Sequence, residues 1–183
     1  IHYSWKLPNN IFMSKTNSIS FVIPAYNCAE TIYESVKSII DGNYELGDEI
    51  IIVNDASTDN TGAILKKLQS QYTFIRVYQH RYNKNTAAAG RNTGIDNSKN
   101  NLIFCLDSDN VLLRGTVKKL KEYLLAKNAD AAAFGEIHFF RTKRKDVTHK
   151  WVFNSEIKLA DCLTGYQNPL GSGNYLYTKD SWL

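Results

Sequence analysis

The chain has 183 residues, 43% hydrophobic and 22% charged, the balance of a globular domain with enough apolar material to bury a core. Its formal charge of +4 is matched by the excess within Arg141 to Lys150, where Arg141, Lys143, Arg144, Lys145 and Lys150 stand against Asp146, so the remainder is close to neutral. That excludes a general nucleic-acid binder, whose positive charge forms a broad phosphate-facing surface.

The plain reading of the basic cluster is a solvated loop, and the alternative is a peripheral contact with an acidic acceptor or a membrane surface. Cys28, Cys105 and Cys162 lie far apart without zinc or redox spacing, which fits a reduced, cytoplasmic setting, at the inner face of the membrane if the basic cluster meets lipid. The sequence lacks the run of roughly 18 apolar residues that a bilayer span needs. Residues 1–12 have neither the basic start nor the apolar centre of a signal peptide. The one methionine, Met13, precedes the first strand-like run, and residues 1–18 are expected to be an N-terminal extension or linker. At the other end Lys179 to Leu183 reads as the start of a helix that a longer polypeptide would continue.

In chain order, Ile19 to Ile23 is a β-rich run closed by Pro24, and Ile32, Val36, Ile39 and Ile40 repeat at helical spacing. Glu49 to Val53 predicts a second strand, followed by a polar turn Asn54 to Asp59 and a helix with Ile64, Leu65 and Leu68 on its apolar face. Ser57 or Thr58 is expected to cap that helix. Thr73 to Tyr78 alternates like a strand, Ala87 to Asp96 predicts a helix, and Leu102 to Leu106 is an apolar run suited to a strand covered on both faces. Val117, Leu120, Leu124 and Leu125 mark a further helix, and Asp130 to Phe140 reads as one longer strand. Beyond Arg141 the alternation fades into a basic turn, a strand Thr148 to Phe153, a helix Ser155 to Leu163 and the glycine-rich Asn168 to Asn174. Repeated strand-helix units predict an α/β fold with a mostly parallel sheet.

Polar residues gather where the apolar strands run out: Tyr26-Asn27, Asn54 to Asp59, and Asp107-Ser108-Asp109. In an open α/β sheet these positions share the edge where ligands bind. Asp, Asn and Ser are also ordinary turn and cap residues, so each turn alone has a structural reading. Asp107 and Asp109, spaced by one residue at a strand end, repel each other unless something positive lies between them. All-oxygen ligation points to Mg²⁺ or Mn²⁺, which commonly take one or two carboxylates beside water and substrate phosphate.

Phe21 to Asn27, Ile51 to Asp59, Gly90 to Ile95 and Phe104 to Asp109 resemble, in order and spacing, the successive motifs of family 2 glycosyltransferases with a GT-A fold. The resemblance covers about Ser18 to Val111. It implies a GT-A, Rossmann-like, mostly parallel sheet with helices on both faces. Residues 19–140 would bind the nucleotide-sugar, and residues 141–183 would begin the acceptor-side region. By the same resemblance Asp55 would contact the base at uracil N3–H, with Pro24, Ala25, Tyr26 and Asn27 walling the pocket. Arg91 would stand beside the nucleotide, and Asp59 would support its turn. Asp107 would lie near the ribose and metal-bound water, Ser108 would belong to the nucleotide-binding set, and Asp109 would be the direct ligand of Mn²⁺ or Mg²⁺, with Asp107 also on the metal side.

The sequence departs from the family pattern at Asn54, where aspartate is common, at Ala56, which replaces a frequent glycine, and at Gly90, where alanine is frequent. Ala56 implies a turn that does not require positive φ. The acidic pair that usually supplies the acceptor's base is missing. Glu156, Asp161 and Asp180 are the remaining candidates, with structural roles favoured and Asp180 read as a helix N-cap. The base is expected beyond Leu183. Gly171 and Gly173 admit close approach of a sugar or simple turn punctuation, and His80, His138 and His149 are too scattered to form a metal cluster.

The expected activity is transfer of a sugar from a nucleoside diphosphate donor, UDP-linked by family frequency, to a hydroxyl of a saccharide or glycoconjugate, with inversion. The rival readings are a non-catalytic nucleotide-sugar-binding module of a larger polymerase, and a nucleotidyltransferase. The second would carry a glycine-rich phosphate loop where Pro24 to Cys28 stands.

Overall fold

The computed structural model describes residues 17–134, 136–139, 147–150 and 175–181. Strands β1 (Ile19–Ala25), β2 (Glu49–Asn54), β3 (Ile75–Gln79) and β4 (Leu102–Cys105) alternate with helices α1 (Ile32–Ile40), α2 (Thr61–Gln71) and α3 (Ala87–Asp96). Then follow α4 (Thr116–Lys127), the short strands β5 (Ala131–Ala133), β6 (Glu136–Phe139), β7 (Val147–Lys150) and β8 (Tyr175–Thr178), and a 3₁₀ turn, Lys179–Ser181. The main sheet has six strands in the order β3-β2-β1-β4-β8-β5, and β6 and β7 form a separate pair. β1 to β4 are mutually parallel, as expected. β8 runs antiparallel to both β4 and β5, so the far half of the sheet is mixed.

The two-residue period of the strands divides the core between the faces of the sheet. Ile19, Phe21, Ile23 and Ala25 of β1, with Leu102 and Phe104 of β4, point to the face covered by α1, α2 and α4. Ile32, Val36 and Ile39, Leu65 and Leu68, and Val117, Leu120 and Leu124 supply that cover at helical spacing. Val22, Ile103 and Cys105 point the other way, against Ile95 of α3 and Tyr177 of β8.

Helix α3 comes very close to β1 because it presents glycines there. A Cβ on Gly94 would lie 2.3 Å from Val22 Cγ1, and one on Gly90 would lie 2.9 Å from Pro24 Cβ. Thr86 caps α3 by accepting the Ala88 N–H at 3.2 Å, so the helix starts where its sequence predicts.

Three expectations give way, and a fourth region is described only in part. Asp130 to Phe140 is two strands in two sheets, β5 pairing with β8 and β6 with β7, because β-rich sequence does not specify its partner. The strand expected over Thr148 to Phe153 is described at Val147–Lys150, whereas the helix Ser155 to Leu163 and Asn168 to Asn174 lie outside the described residues. Neither Ser57 nor Thr58 caps α2. Asn60 holds the cap position, and Asp59 Oδ1 accepts the Thr61 N–H at 3.0 Å. Asp180 lies inside the 3₁₀ turn rather than at the N-cap of an α-helix.

Candidate functional site

The order β3-β2-β1-β4 reverses direction at β1, and the loops leaving β1, β2 and β4 open on one edge there, the usual ligand crevice of such sheets. A cleft of about 860 Å³ occupies that edge. Every site residue expected from the sequence lines it: Pro24, Ala25, Tyr26, Asn27, Asp55, Arg91, Asp107, Ser108 and Asp109.

The loops are braced against one another by side chains. Asn27 takes a left-handed conformation, φ 45°, in which its amide oxygen accepts the Thr58 N–H at 2.8 Å while its own N–H donates to Ser57 Oγ at 3.0 Å. Asn27 thus lines the cleft, but its side-chain oxygen is occupied by the neighbouring loop. Asp59 supports the turn, accepting the Ala29 N–H at 3.1 Å, and its bonds from the Thr61 side chain and backbone hold its carboxyl below the usual aspartate range. Asn54 is buried and accepts the Ser57 N–H at 3.0 Å. Ala56 corrects the expectation drawn from its lack of glycine. Its φ is +58°, and the bonds on either side hold an alanine where glycine would meet no steric cost.

Asp55 is buried at the back of the cleft, its backbone N–H donating to Ala25 O at 2.8 Å. The Lys84 N–H reaches Oδ1 at 3.1 Å and Oδ2 at 2.9 Å, and His80 Nδ1 lies 2.6 Å from Oδ1. Arg91 projects from α3, and its Nη2 donates to Asp107 Oδ1 at 2.5 Å. Arg91 Nε is buried without a hydrogen-bond partner among the described residues, a costly arrangement. Ser35 of α1 holds the turn after β4 by donating to Asn110 O at 2.7 Å and Asp107 O at 3.2 Å. The exposed Asp109 side chain has no hydrogen bond or ion pair among the described residues. Burial pushes the Cys28 thiol up, against bonds from Ser108 and Thr61, so this cleft cysteine stays protonated at neutral pH.

Sequence reasoning missed the loop before α3, of which Asn83, Asn85 and Thr86 line the cleft, together with Ala87 at the start of α3 and Glu30. The polar run Asn83-Lys84-Asn85-Thr86 ahead of Gly90-Arg91 was the available signal, and Asn85 sits at φ 56°. It also missed His80, whose partner lies 25 residues earlier. Among the described residues no three or more His, Cys, Asp or Glu gather into a metal-holding group. No helix there is long and apolar enough to cross a membrane. Of the basic cluster, Arg141 to Asp146 lies outside the described residues.

The chain is 37% identical over 112 residues to glycosyltransferase GlyG of Streptococcus pneumoniae serotype 4, covering 61% of this chain and 36% of that protein. It spans about a third of the length of the curated relatives it matches. Its fold is that of Staphylococcus aureus TarS residues 1–349 in complex with UDP, with TM-score 0.58, 23% identity, and coverage of 62% of this chain and 34% of that one. A mannosyltransferase from Pyrobaculum calidifontis in complex with GDP-Man and Mn²⁺ matches with TM-score 0.57 at 20% identity, covering 62% of this chain and 34% of that one. The fold class is therefore α/β of the GT-A type. The model of glycosyl transferase family 2 matches residues 20–181, and the chain belongs to that family.

Proposed function

We propose that this chain forms the donor-binding part of an enzyme that transfers a sugar from a UDP-sugar to an acceptor hydroxyl of a saccharide or glycoconjugate, with inversion and with the help of a divalent metal. The observation that carries this reading is the convergence of Asp55, Arg91, Asp107 and Asp109 on one cleft at the strand crossover point. The UDP bound by TarS supports the choice of donor. Residues 19–140 form the nucleotide-sugar-binding part, and residues 141–183 begin the acceptor side of the same domain.

Asp55 receives the base. A carboxylate offers about four lone-pair sites. The His80 and Lys84 contacts fill Oδ1 and half of Oδ2, leaving room for one further N–H, which suits the single imide N–H of uracil. Tyr26, half-exposed at the cleft wall, gives the base an aromatic neighbour. Arg91 holds Asp107 in place and keeps a cationic group beside the diphosphate.

Asp109, without a partner among the described residues, and Asp107, with one oxygen on Arg91, suit a hard cation such as Mn²⁺ or Mg²⁺. Two carboxylates are too few by themselves, and the donor's diphosphate and water would complete the ligand set. A cation bound there would offset the charge that develops on the leaving diphosphate. No step is assigned to a general base among the described residues.

The test is a thermal-shift series with UDP, GDP and CDP, each with and without Mn²⁺. UDP at 100 times its Kd is expected to add about 2.7 kcal/mol, more readily with Mn²⁺ than without. A chain indifferent to every nucleotide in either condition would overturn the reading.

A further inference from the structure

His80 stands behind the cleft rather than in its wall. It follows β3 directly, and its N–H donates to Asn54 O at 2.9 Å, which carries the sheet ladder one residue beyond the strand. Its side chain is 12% exposed and bridges two elements. Nδ1 lies 2.6 Å from Asp55 Oδ1, and Nε2 lies 3.0 Å from Thr93 Oγ1. An ionised carboxylate only accepts, so Nδ1 must carry the proton. In the neutral ring Nε2 then accepts from the Thr93 hydroxyl. Thr93 belongs to α3, the helix that also carries Arg91, and α3 sits close on β1 through Gly90 and Gly94. The base-side carboxylate and the arginine that holds Asp107 are thereby referred to the same rigid helix.

We propose that His80 is a positioning residue for donor selection. By occupying Asp55 Oδ1 and tying it to α3, it presents one acceptor site on Oδ2 in a fixed direction. The pocket then favours uracil, which offers an N–H at N3, over cytosine, whose N3 is an acceptor and would face the carboxylate's lone pairs. Without His80 the carboxylate can rotate or take up water at Oδ1, and discrimination falls. The inference rests on the reading of Asp55 as the base contact.

The experiment measures UDP and CDP affinities by calorimetry in Mn²⁺ for the parent chain, His80→Ala, His80→Asn, Thr93→Val and Asp55→Ala, with folding checked by circular dichroism. The parent should prefer UDP. His80→Ala should lose about tenfold in UDP affinity, the scale of one hydrogen bond to a charged group, with CDP changed by no more than about twofold. His80→Asn, whose amide N–H can occupy the place of Nδ1–H, should recover most of the preference. Thr93→Val should narrow it less than His80→Ala does. Equal weakening of both nucleotides, or an unchanged UDP to CDP ratio in His80→Ala, would overturn the inference, since a merely structural role predicts that result. If His80→Ala fails to fold, an undiminished ratio in Thr93→Val overturns it, and a narrowed ratio supports it. Should Asp55→Ala collapse the ratio while the His80 and Thr93 variants keep it, only the role of His80 falls. Should the parent show no preference, or Asp55→Ala keep it, the reading of Asp55 falls and takes the inference with it.

Discussion

The two ends of the sheet carry the same kind of side chain and treat it in opposite ways. At the N-terminal ends of the strands Asp48 and Glu49 are buried, each with both carboxylate oxygens hydrogen-bonded within the chain. Asp48 accepts the Ile19 N–H at 2.7 Å and the Glu45 N–H at 2.9 Å. Glu49 accepts the Lys99 N–H at 2.6 Å, the Ser20 hydroxyl at 2.7 Å and Arg76 Nη1 at 2.8 Å. At the C-terminal ends Asp107 is half-buried with one ion pair, and Asp109 is exposed with no partner among the described residues. A carboxylate surrounded by donors of its own chain holds the fold together, and one left with open lone pairs at a cleft is available to a ligand. Asp55 lies between these cases, buried and hydrogen-bonded at both oxygens like Asp48 and Glu49, yet lining the cleft.

The largest expected effect is therefore at the foot of the sheet. Glu49→Ala leaves the Lys99 N–H without its acceptor and Arg76 without its carboxylate partner, keeping only the Asn97 carbonyl at Nη1, and should cost about 3 kcal/mol of stability in denaturant unfolding. Its affinity for UDP, measured where the variant is still folded, should match the parent's. A large drop in affinity would mean that the two ends are not separate. Asp55→Ala should do the reverse in proportion, weakening UDP by about 1.5 to 3 kcal/mol even without metal. Uridine binding equal to the parent's would remove Asp55 from the base site.

Acid unfolding sharpens the same contrast. Burial opposes the charge on Glu49, but the Lys99 N–H, Ser20 and Arg76 outweigh it and hold the carboxyl below its ordinary value of 4.5. Its contribution is thus present above pH 4.5 and is lost as pH falls through the lowered value. Burial outweighs the backbone bonds at Asp48 and holds that carboxyl above its ordinary 3.8, so its contribution has the opposite sign, lost as pH rises through the raised value. Glu49→Gln should flatten the fall in melting temperature below pH 4.5, and an unaltered acid limb would exclude Glu49 as its source. The smallest effect belongs to the surface, where Lys37 and Asp41 pair at 2.7 Å with side chains 28% and 54% exposed. Lys37→Ala should leave the melting temperature at the parent's value, since an exposed ion pair contributes little.

The sequence made the site's position legible because β1, β2 and β4 are apolar runs that stop abruptly at polar turns. The extent of α3 was legible too, since Thr86 caps it and glycines mark its buried face. What remained hidden depends on distant partners. Ser57 has the chemistry of a cap, but the Asn27 N–H takes its oxygen first. Ala56 carries no sign of its positive φ, because the bonds that impose it come from the residues around it. His80 has no local pattern at all, and only the fold brings it between Asp55 and Thr93. The antiparallel β8 joins β4 across more than 70 residues, a pairing that hydrophobic alternation cannot encode.

The most direct measurement is a calorimetric titration of UDP into the parent chain and Asp109→Ala, each in Mn²⁺ and in chelator. If the open carboxylates of the C-terminal edge hold a cation together with the donor's diphosphate, Mn²⁺ will tighten UDP binding to the parent. Asp109→Ala will bind UDP with the parent's chelator affinity in both conditions, while its melting temperature stays at the parent's value. An equal response to Mn²⁺ in the two proteins, or no UDP binding by the folded parent, would contradict the account.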